Sequence, residues 1–143
     1  EKEKFVDLVT QAIEKDPNNA VLYFNLGVVN KDLGDFNASR KFYTKAIEID
    51  PNYEAAYFNL TSLILDGESS IVDEMNSLGT SRADNARYDL LKEKRELLYQ
   101  ECVPILKRLV EISNNPEAIK TLMNIYGTLG DNQGYLKMKA MLQ

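Results

Sequence analysis

The feature that most constrains this sequence is an internal repetition with a period of 34 residues. Val21–Leu26 reads VLYFNL and Ala55–Leu60 reads AAYFNL, so the letters YFNL recur at that spacing. Each segment follows an Asp-Pro pair, and the two prolines, Pro17 and Pro51, are also 34 residues apart. Because proline ends a helix, a new helix should begin after each of them. A chain built in this way buries its apolar residues between neighbouring copies of one structural unit.

Between the two prolines, apolar residues recur at helical spacing on both sides of Gly34-Asp35. This pattern predicts a helix from Ala20 to Leu33, a turn at Gly34-Asp35 and a helix from Phe36 to Ile49. The predicted core combines small residues where the helices cross with large residues around them: Gly27, Ser39, Ala46, Tyr23, Leu26, Phe36, Phe42 and Tyr43.

The order of these residues resembles the tetratricopeptide repeat (TPR), a helix–turn–helix unit of about 34 residues. The residues that carry the resemblance are Tyr23, Leu26-Gly27, Gly34-Asp35-Phe36, Tyr43, Ala46 and Pro51. The resemblance is strongest from Ala20 to Leu60. It implies an all-α fold, a TPR-type α-solenoid of antiparallel helix pairs.

We interpret residues 1–143 as a single TPR-like domain with four parts. Residues 1–19 are expected to be the second helix of a truncated repeat, 20–53 a full repeat, 54–115 a repeat with a long insertion, and 116–143 a degenerate or capping repeat. The chain would then be a fragment or the C-terminal part of a longer, bacterial-type TPR array; a natural N-terminal capping helix is the alternative. Truncation predicts that Phe5, Leu8 and Val9 expose apolar surface.

The third part carries an insertion. A regular repeat would place the counterpart of Ala46 at position 80, whereas the ending before Pro116 places it at Leu109, so the insertion has 29 residues. Apolar residues keep helical spacing through it, which predicts two longer helices rather than a loop, the first running to Gly79. Ser81 and Asp84 resemble a capping box at the start of the second. The expected object is an extended helical hairpin.

The register of this hairpin follows from the resemblance, which pairs Thr61 with Cys102. Antiparallel helices keep the sum of paired residue numbers nearly constant, so the same alignment brings Met75 to Tyr88 and Ile64 to Tyr99. It also brings Glu68 to Arg95, a polar pair within an apolar seam that could fix the alignment. Two separate residues that point to solvent are the alternative.

The composition limits the chemistry that is available. Histidine is absent, Cys102 is the single cysteine, and the formal net charge is −5. There is no metal-ligand cluster, phosphate-binding glycine loop or nucleophile–base set, so we expect no catalytic residues, no cofactor, no metal and no enzymatic activity. The acidic charge argues against nucleic acid as a partner. No apolar run approaches the ~20 residues of a membrane span.

The resemblance implies a protein–protein interaction scaffold that binds a peptide segment or a partner helix in a concave groove. Carried over residue by residue, the groove consists of Phe24, Asn25, Val28, Lys31, Phe58, Asn59, Ser62, Lys120 and Asn124. The two phenylalanines could instead fill the core between repeats. Alternative functions are self-association, giving a homodimer through the hairpin or the N-terminal face, and regulation of a larger enzyme. The compartment is left open: cytoplasmic, or periplasmic or exported if a signal peptide was removed.

Overall fold

The structure, a computed structural model, describes all residues from 1 to 143 and is entirely α-helical. Eight helices follow one another: α1 Lys2–Lys15, α2 Ala20–Asp32, α3 Phe36–Ile49, α4 Glu54–Leu65, α5 Glu68–Ser77, α6 Arg82–Ser113, α7 Pro116–Leu129 and α8 Asn132–Met141. The chain divides into two compact units, Glu1–Leu63 and Ile64–Gln143.

Local signals explain where the helices begin and end. The side chains of Asn19, Asp35 and Asn115 each accept a hydrogen bond from a backbone N–H in the first turn of the helix that follows. At the other end, Gly34 and Gly130 have φ values of +83° and +78°, the left-handed conformation that stops a helix and that glycine adopts without strain. These caps confirm the predicted turn at Gly34-Asp35, and Gly130-Asp131 forms a similar turn between α7 and α8.

The first unit has two apolar clusters. Val9 of α1 packs with Leu26 and Val29 of α2. Ala20, Ala46 and Ala56 form the second cluster, which joins α2, α3 and α4. The small alanines allow the three helices to approach closely, and larger side chains surround them.

The α2–α3 crossing depends on a glycine. A Cβ atom added to Gly27 would lie 2.5 Å from the ring of Tyr43, so only glycine fits there without a shift. Beside this contact, the buried hydroxyl of Ser39 donates a 2.6 Å hydrogen bond to the carbonyl oxygen of Gly27. The prediction of small residues at this crossing is confirmed.

The second unit consists of the α5–α6 hairpin followed by the α7–α8 pair. α6 buries Leu91, Tyr99, Cys102, Leu106, Leu109 and Val110, and α7 buries Ala118, Ile119, Leu122, Ile125 and Tyr126. The α7–α8 crossing uses a different glycine arrangement, because a Cβ at Gly134 of α8 would lie 2.7 Å from the ring of Tyr126 on α7. The glycine at the close contact therefore lies on the second helix of this pair, whereas in the α2–α3 pair it lies on the first.

Two expectations about individual apolar residues are wrong. Val9 is buried against α2, although Phe5 and Leu8 are exposed at 42% and 64% as expected. Val9 lies on the side of α1 that faces Leu26, whereas Leu8 is about 100° away around the helix. Phe36 is 56% exposed rather than part of the core. It is the first residue of α3, directly after the turn that ends the α2–α3 pair.

The outgoing helix of the hairpin is not continuous. The sequence pattern predicts one helix that runs unbroken to Gly79, but α4 ends at Leu65, a turn occupies Asp66 and Gly67, and α5 runs only from Glu68 to Ser77. Glycine in a helix interior costs about 1 kcal/mol relative to alanine, and aspartate is also a poor helix former, so the pair favours a break. Leu78 then leaves the helix in an extended conformation with ψ 146°.

The hairpin register is confirmed by its polar contacts. Arg95 lies 3.0 Å from the carboxylate of Glu68. The numbers of these two residues sum to 163, as do those of the predicted pair Thr61 and Cys102. Further out, Arg87 Nε and Glu74 Oε2 are 2.6 Å apart, and their numbers sum to 161, within one helical turn of that register. At the start of α6, Ser81 accepts from the Asp84 N–H, but the Asp84 carboxylate accepts from the Gly79 N–H rather than from Ser81. The capping box is therefore modified to tie α6 to the turn before it.

Candidate peptide-binding groove

The candidate groove in the first unit is the side of α2 that faces away from α3. Gly27 and Ser39 hold α3 against one side of α2. Asn25 lies two residues before Gly27 and therefore about 200° around the helix, on the opposite side. The close packing of α2 on α3 thus presents the Asn25 side of α2 outward.

This surface is apolar with a central amide. Val21 and Val28 are 49% and 36% exposed, and Asn25 lies between them at helical spacing. The Asn25 side chain is half-buried and makes no hydrogen bond. An amide has two N–H donors and one carbonyl acceptor, which match the groups of a peptide backbone. The surface therefore offers apolar contacts on either side of an amide.

A cavity of about 360 Å³ opens beside Asn25, between the first turn of α1 and α2. Phe5, Val28 and Val29 supply its apolar wall. At its edge, Lys2 Nζ lies 3.9 Å from Asp32 Oδ2, an exposed ion pair that contributes little to stability. The cavity is large enough for a side chain of a bound peptide.

Phe24 contributes to packing between the repeats. Its ring stacks on Tyr53 with 5.1 Å between centroids and meets Tyr43 at 5.7 Å. It also packs against the cluster of Ala20, Ala46 and Ala56. The structure therefore places Phe24 in the core between repeats, which is one of the two alternatives that the sequence leaves open. Lys31, further along α2, is half-buried.

On α4, Phe58 and Asn59 are half-buried and Ser62 is exposed. The Nδ2 atom of Asn59 donates a 3.3 Å hydrogen bond to the hydroxyl of Tyr43. The two repeated asparagines therefore differ: Asn25 has no side-chain hydrogen bond, whereas Asn59 links α4 to α3. The YFNL repetition alone could not show this difference, because the partner of Asn59 is Tyr43 of α3, which lies outside the repeated segment.

The last two predicted groove residues lie on α7 in the second unit. Lys120 and Asn124 are both exposed. The Nζ atom of Lys120 is 3.5 Å from Glu117 Oε1, one turn earlier on the same helix. One turn separates Lys120 from Asn124, so they share a face of α7.

A polar cluster in the hairpin extends beyond the predicted pair. Arg95 donates from Nε to Glu68 at 3.1 Å and from a terminal nitrogen to the Tyr99 hydroxyl at 3.1 Å. The Tyr99 hydroxyl donates in turn to Glu68. Burial raises the pKa of Tyr99, and its hydrogen bond to Glu68 acts in the same direction. Sequence reasoning missed the polar role of Tyr99, although its position one turn after Arg95 was a usable signal.

The structure also bears on metal sites, thiol chemistry and membrane spans. No group of three or more His, Cys, Asp or Glu side chains is placed to hold a metal ion. Cys102 is fully buried in α6. None of the eight helices combines the length and the apolar character that crossing a membrane requires.

Comparison with known proteins gives one family match and several similar structures. The family model described as "Tetratricopeptide repeat" matches residues 20–53. No curated protein sequence matches the chain. Three solved structures are similar at low identity: a MamA RS-1 double mutant (13% identity, TM-score 0.47, covering 99% of this chain and 83% of that one); TTC0263, a TPR protein of Thermus thermophilus (18%, 0.42, 99% and 81%); and YrrB, described as a TPR protein with an unusual peptide-binding site (20%, 0.38, 94% and 72%).

Proposed function

Residues 20–53 of this chain are a tetratricopeptide repeat, a type of helix pair that serves as a scaffold for protein–protein interaction, and from this premise we propose that the outward side of α2 binds a peptide segment of another protein. Val21 and Val28 would contact apolar side chains of the peptide. Asn25 would hydrogen-bond its backbone. The cavity beside Asn25 would receive one side chain.

The observation that carries this proposal is the half-buried amide of Asn25. The amide has no protein partner and stays accessible to water, so its donors and its acceptor are available to the backbone of a bound peptide. Asn59 supports the proposal less directly, since part of its bonding capacity is used by Tyr43. Phe58 and Ser62 would extend the same surface along α4.

A peptide-display selection tests the proposal. Random peptides selected on the purified protein should bind the Asn25→Ala variant about fivefold more weakly, because a net hydrogen bond contributes about 1 kcal/mol. Val28→Glu should abolish the binding by placing a charge in the apolar part of the surface. Leu136→Glu on α8 is the matched control, since Leu136 is 60% exposed and belongs to the other unit. Equal affinity for all four proteins would contradict the proposal.

A second candidate function is self-association, which is favoured by exposed apolar residues on two helices. Phe5 and Leu8 are exposed on α1, and Leu90 and Leu97 are about 60% exposed one heptad apart on α6. Light scattering over a range of protein concentrations tests this candidate. A molar mass that rises above 16.3 kDa supports it, and a constant monomer mass excludes it.

A further inference from the structure

A second cavity, of about 530 Å³, lies on the outer side of α3 and is larger than the cavity beside Asn25. α3 buries only Ser39, Tyr43 and Ala46 completely. Its opposite side carries polar and charged residues that project around the cavity. Tyr23 of α2 and Phe42 of α3 provide an aromatic wall. The cavity therefore combines a charged rim with an apolar surface.

The charge of this rim differs from that of the whole chain. Arg40, Lys41 and Lys45 line the cavity together with a single carboxylate, that of Glu48. The chain as a whole carries a formal charge of −5. The net charge of the protein therefore repels an acidic segment, whereas the basic rim of this cavity attracts it. The local excess of positive charge selects for an anionic ligand.

Two of the polar groups around the cavity have no competing bond. Lys41 forms no ion pair, and the hydroxyl of the half-buried Tyr23 makes no hydrogen bond. Lys45 lies 3.8 Å from Glu48, but both side chains are half exposed, so this pair is weak and can open. An ammonium and a phenol hydroxyl are both donors, and both can bond to a carboxylate.

From this combination of charge, donors and shape, we propose that the outer side of α3 binds a short acidic peptide segment. Carboxylates of the segment would pair with Lys41 and Lys45, and one apolar residue would rest against Tyr23 and Phe42. The charge distribution favours a peptide over nucleic acid. A nucleic acid needs an extended track of basic residues, whereas this basic cluster is local and the chain as a whole is acidic.

This site is separate from the α2 groove. Tyr23 and Asn25 are two residues apart on one helix, so their side chains point about 200° away from each other. A ligand on α3 and a peptide on the outward side of α2 would therefore not share contacts. The two proposals can fail independently, because they depend on different helices and different residues.

Fluorescence anisotropy with a defined probe tests the acidic site. The probe is a fluorescein-labelled, glutamate-rich peptide with one central leucine, and its counterpart has glutamine in place of every glutamate. The combined Lys41→Glu and Lys45→Glu changes should raise the Kd of the glutamate peptide about tenfold, which corresponds to about 1.4 kcal/mol. Lys137→Glu with Lys139→Glu on α8 reverses the same amount of charge on another exposed helix and should leave the Kd within about twofold.

Two further variants exclude a merely structural effect. Lys41→Arg with Lys45→Arg preserves the charge and should retain binding, whereas Tyr23→Phe removes only the hydroxyl and should weaken it. The proposal is wrong if the charge-reversed protein binds as tightly as the original, or if the glutamine peptide binds equally well. It is also wrong if oligothymidylate binds this surface more tightly than the glutamate peptide, because the occupant is then nucleic acid.

Discussion

Replacing Gly27 with alanine should destabilise the first unit, although alanine is intrinsically the better helix former. The added Cβ would lie 2.5 Å from Cδ1 and Cε1 of Tyr43, whose ring is buried and only 1% exposed. Overpacking of a core costs about 1–3 kcal/mol, whereas the gain in helix propensity is at most about 1 kcal/mol. Because a 2.5 Å approach to a buried ring is severe, the steric cost should lie at about 2–3 kcal/mol, which leaves a net loss of about 1–2 kcal/mol.

Gly127→Ala is the matched control for this prediction. Gly127 is also a helical glycine, in α7, but an added Cβ would lie 3.5 Å from Tyr135, an ordinary contact distance. This variant should gain up to about 1 kcal/mol. Urea unfolding followed by circular dichroism measures both changes as shifts of the midpoint. If Gly27→Ala is as stable as the original protein, Tyr43 can move and the account of the α2–α3 crossing is wrong.

Two further predictions concern the hairpin in the second unit. Arg95→Leu should destabilise it by about 1–2 kcal/mol, because Glu68 then loses a half-buried charged partner; Arg87→Leu, at the more exposed pair with Glu74, should have a smaller effect in the same urea titration. Since the pKa of Tyr99 is raised above its ordinary value by burial and by its bond to Glu68, its stabilising contribution is complete below about pH 10 and is lost as the pH rises through the folded pKa. Tyr99→Phe should therefore reduce the loss of stability between neutral and alkaline pH, and an unchanged pH dependence would contradict this reasoning.

Much of the fold could be predicted because its signals are local. Proline, Asn caps and left-handed glycines mark helix boundaries through the backbone itself, so α2 and α3 have the predicted bounds within a residue. The hairpin register could also be predicted, because the resemblance pairs Thr61 with Cys102 and the same alignment brings Glu68 to Arg95, where the structure places it.

The errors share a different cause. Val9 and Phe36 are assigned to core or surface by the direction in which a neighbouring helix lies, and one helix's periodicity does not contain that direction. The break at Gly67 is a balance of about 1 kcal/mol between helix continuation and a turn, which sequence patterns do not resolve. Asn25 and Asn59 occupy equivalent places in the repeat, yet only Asn59 meets a tyrosine hydroxyl.

The central claim is that the outward side of α2 is a peptide-binding surface. NMR titration of the isotope-labelled protein with a peptide selected on it tests this claim most directly, because every backbone amide reports its own environment. We expect the largest chemical-shift changes at Val21, Asn25 and Val28, with smaller changes in the first turn of α1. Changes confined to α6 or to the outer side of α3, with α2 unaffected, would contradict the claim.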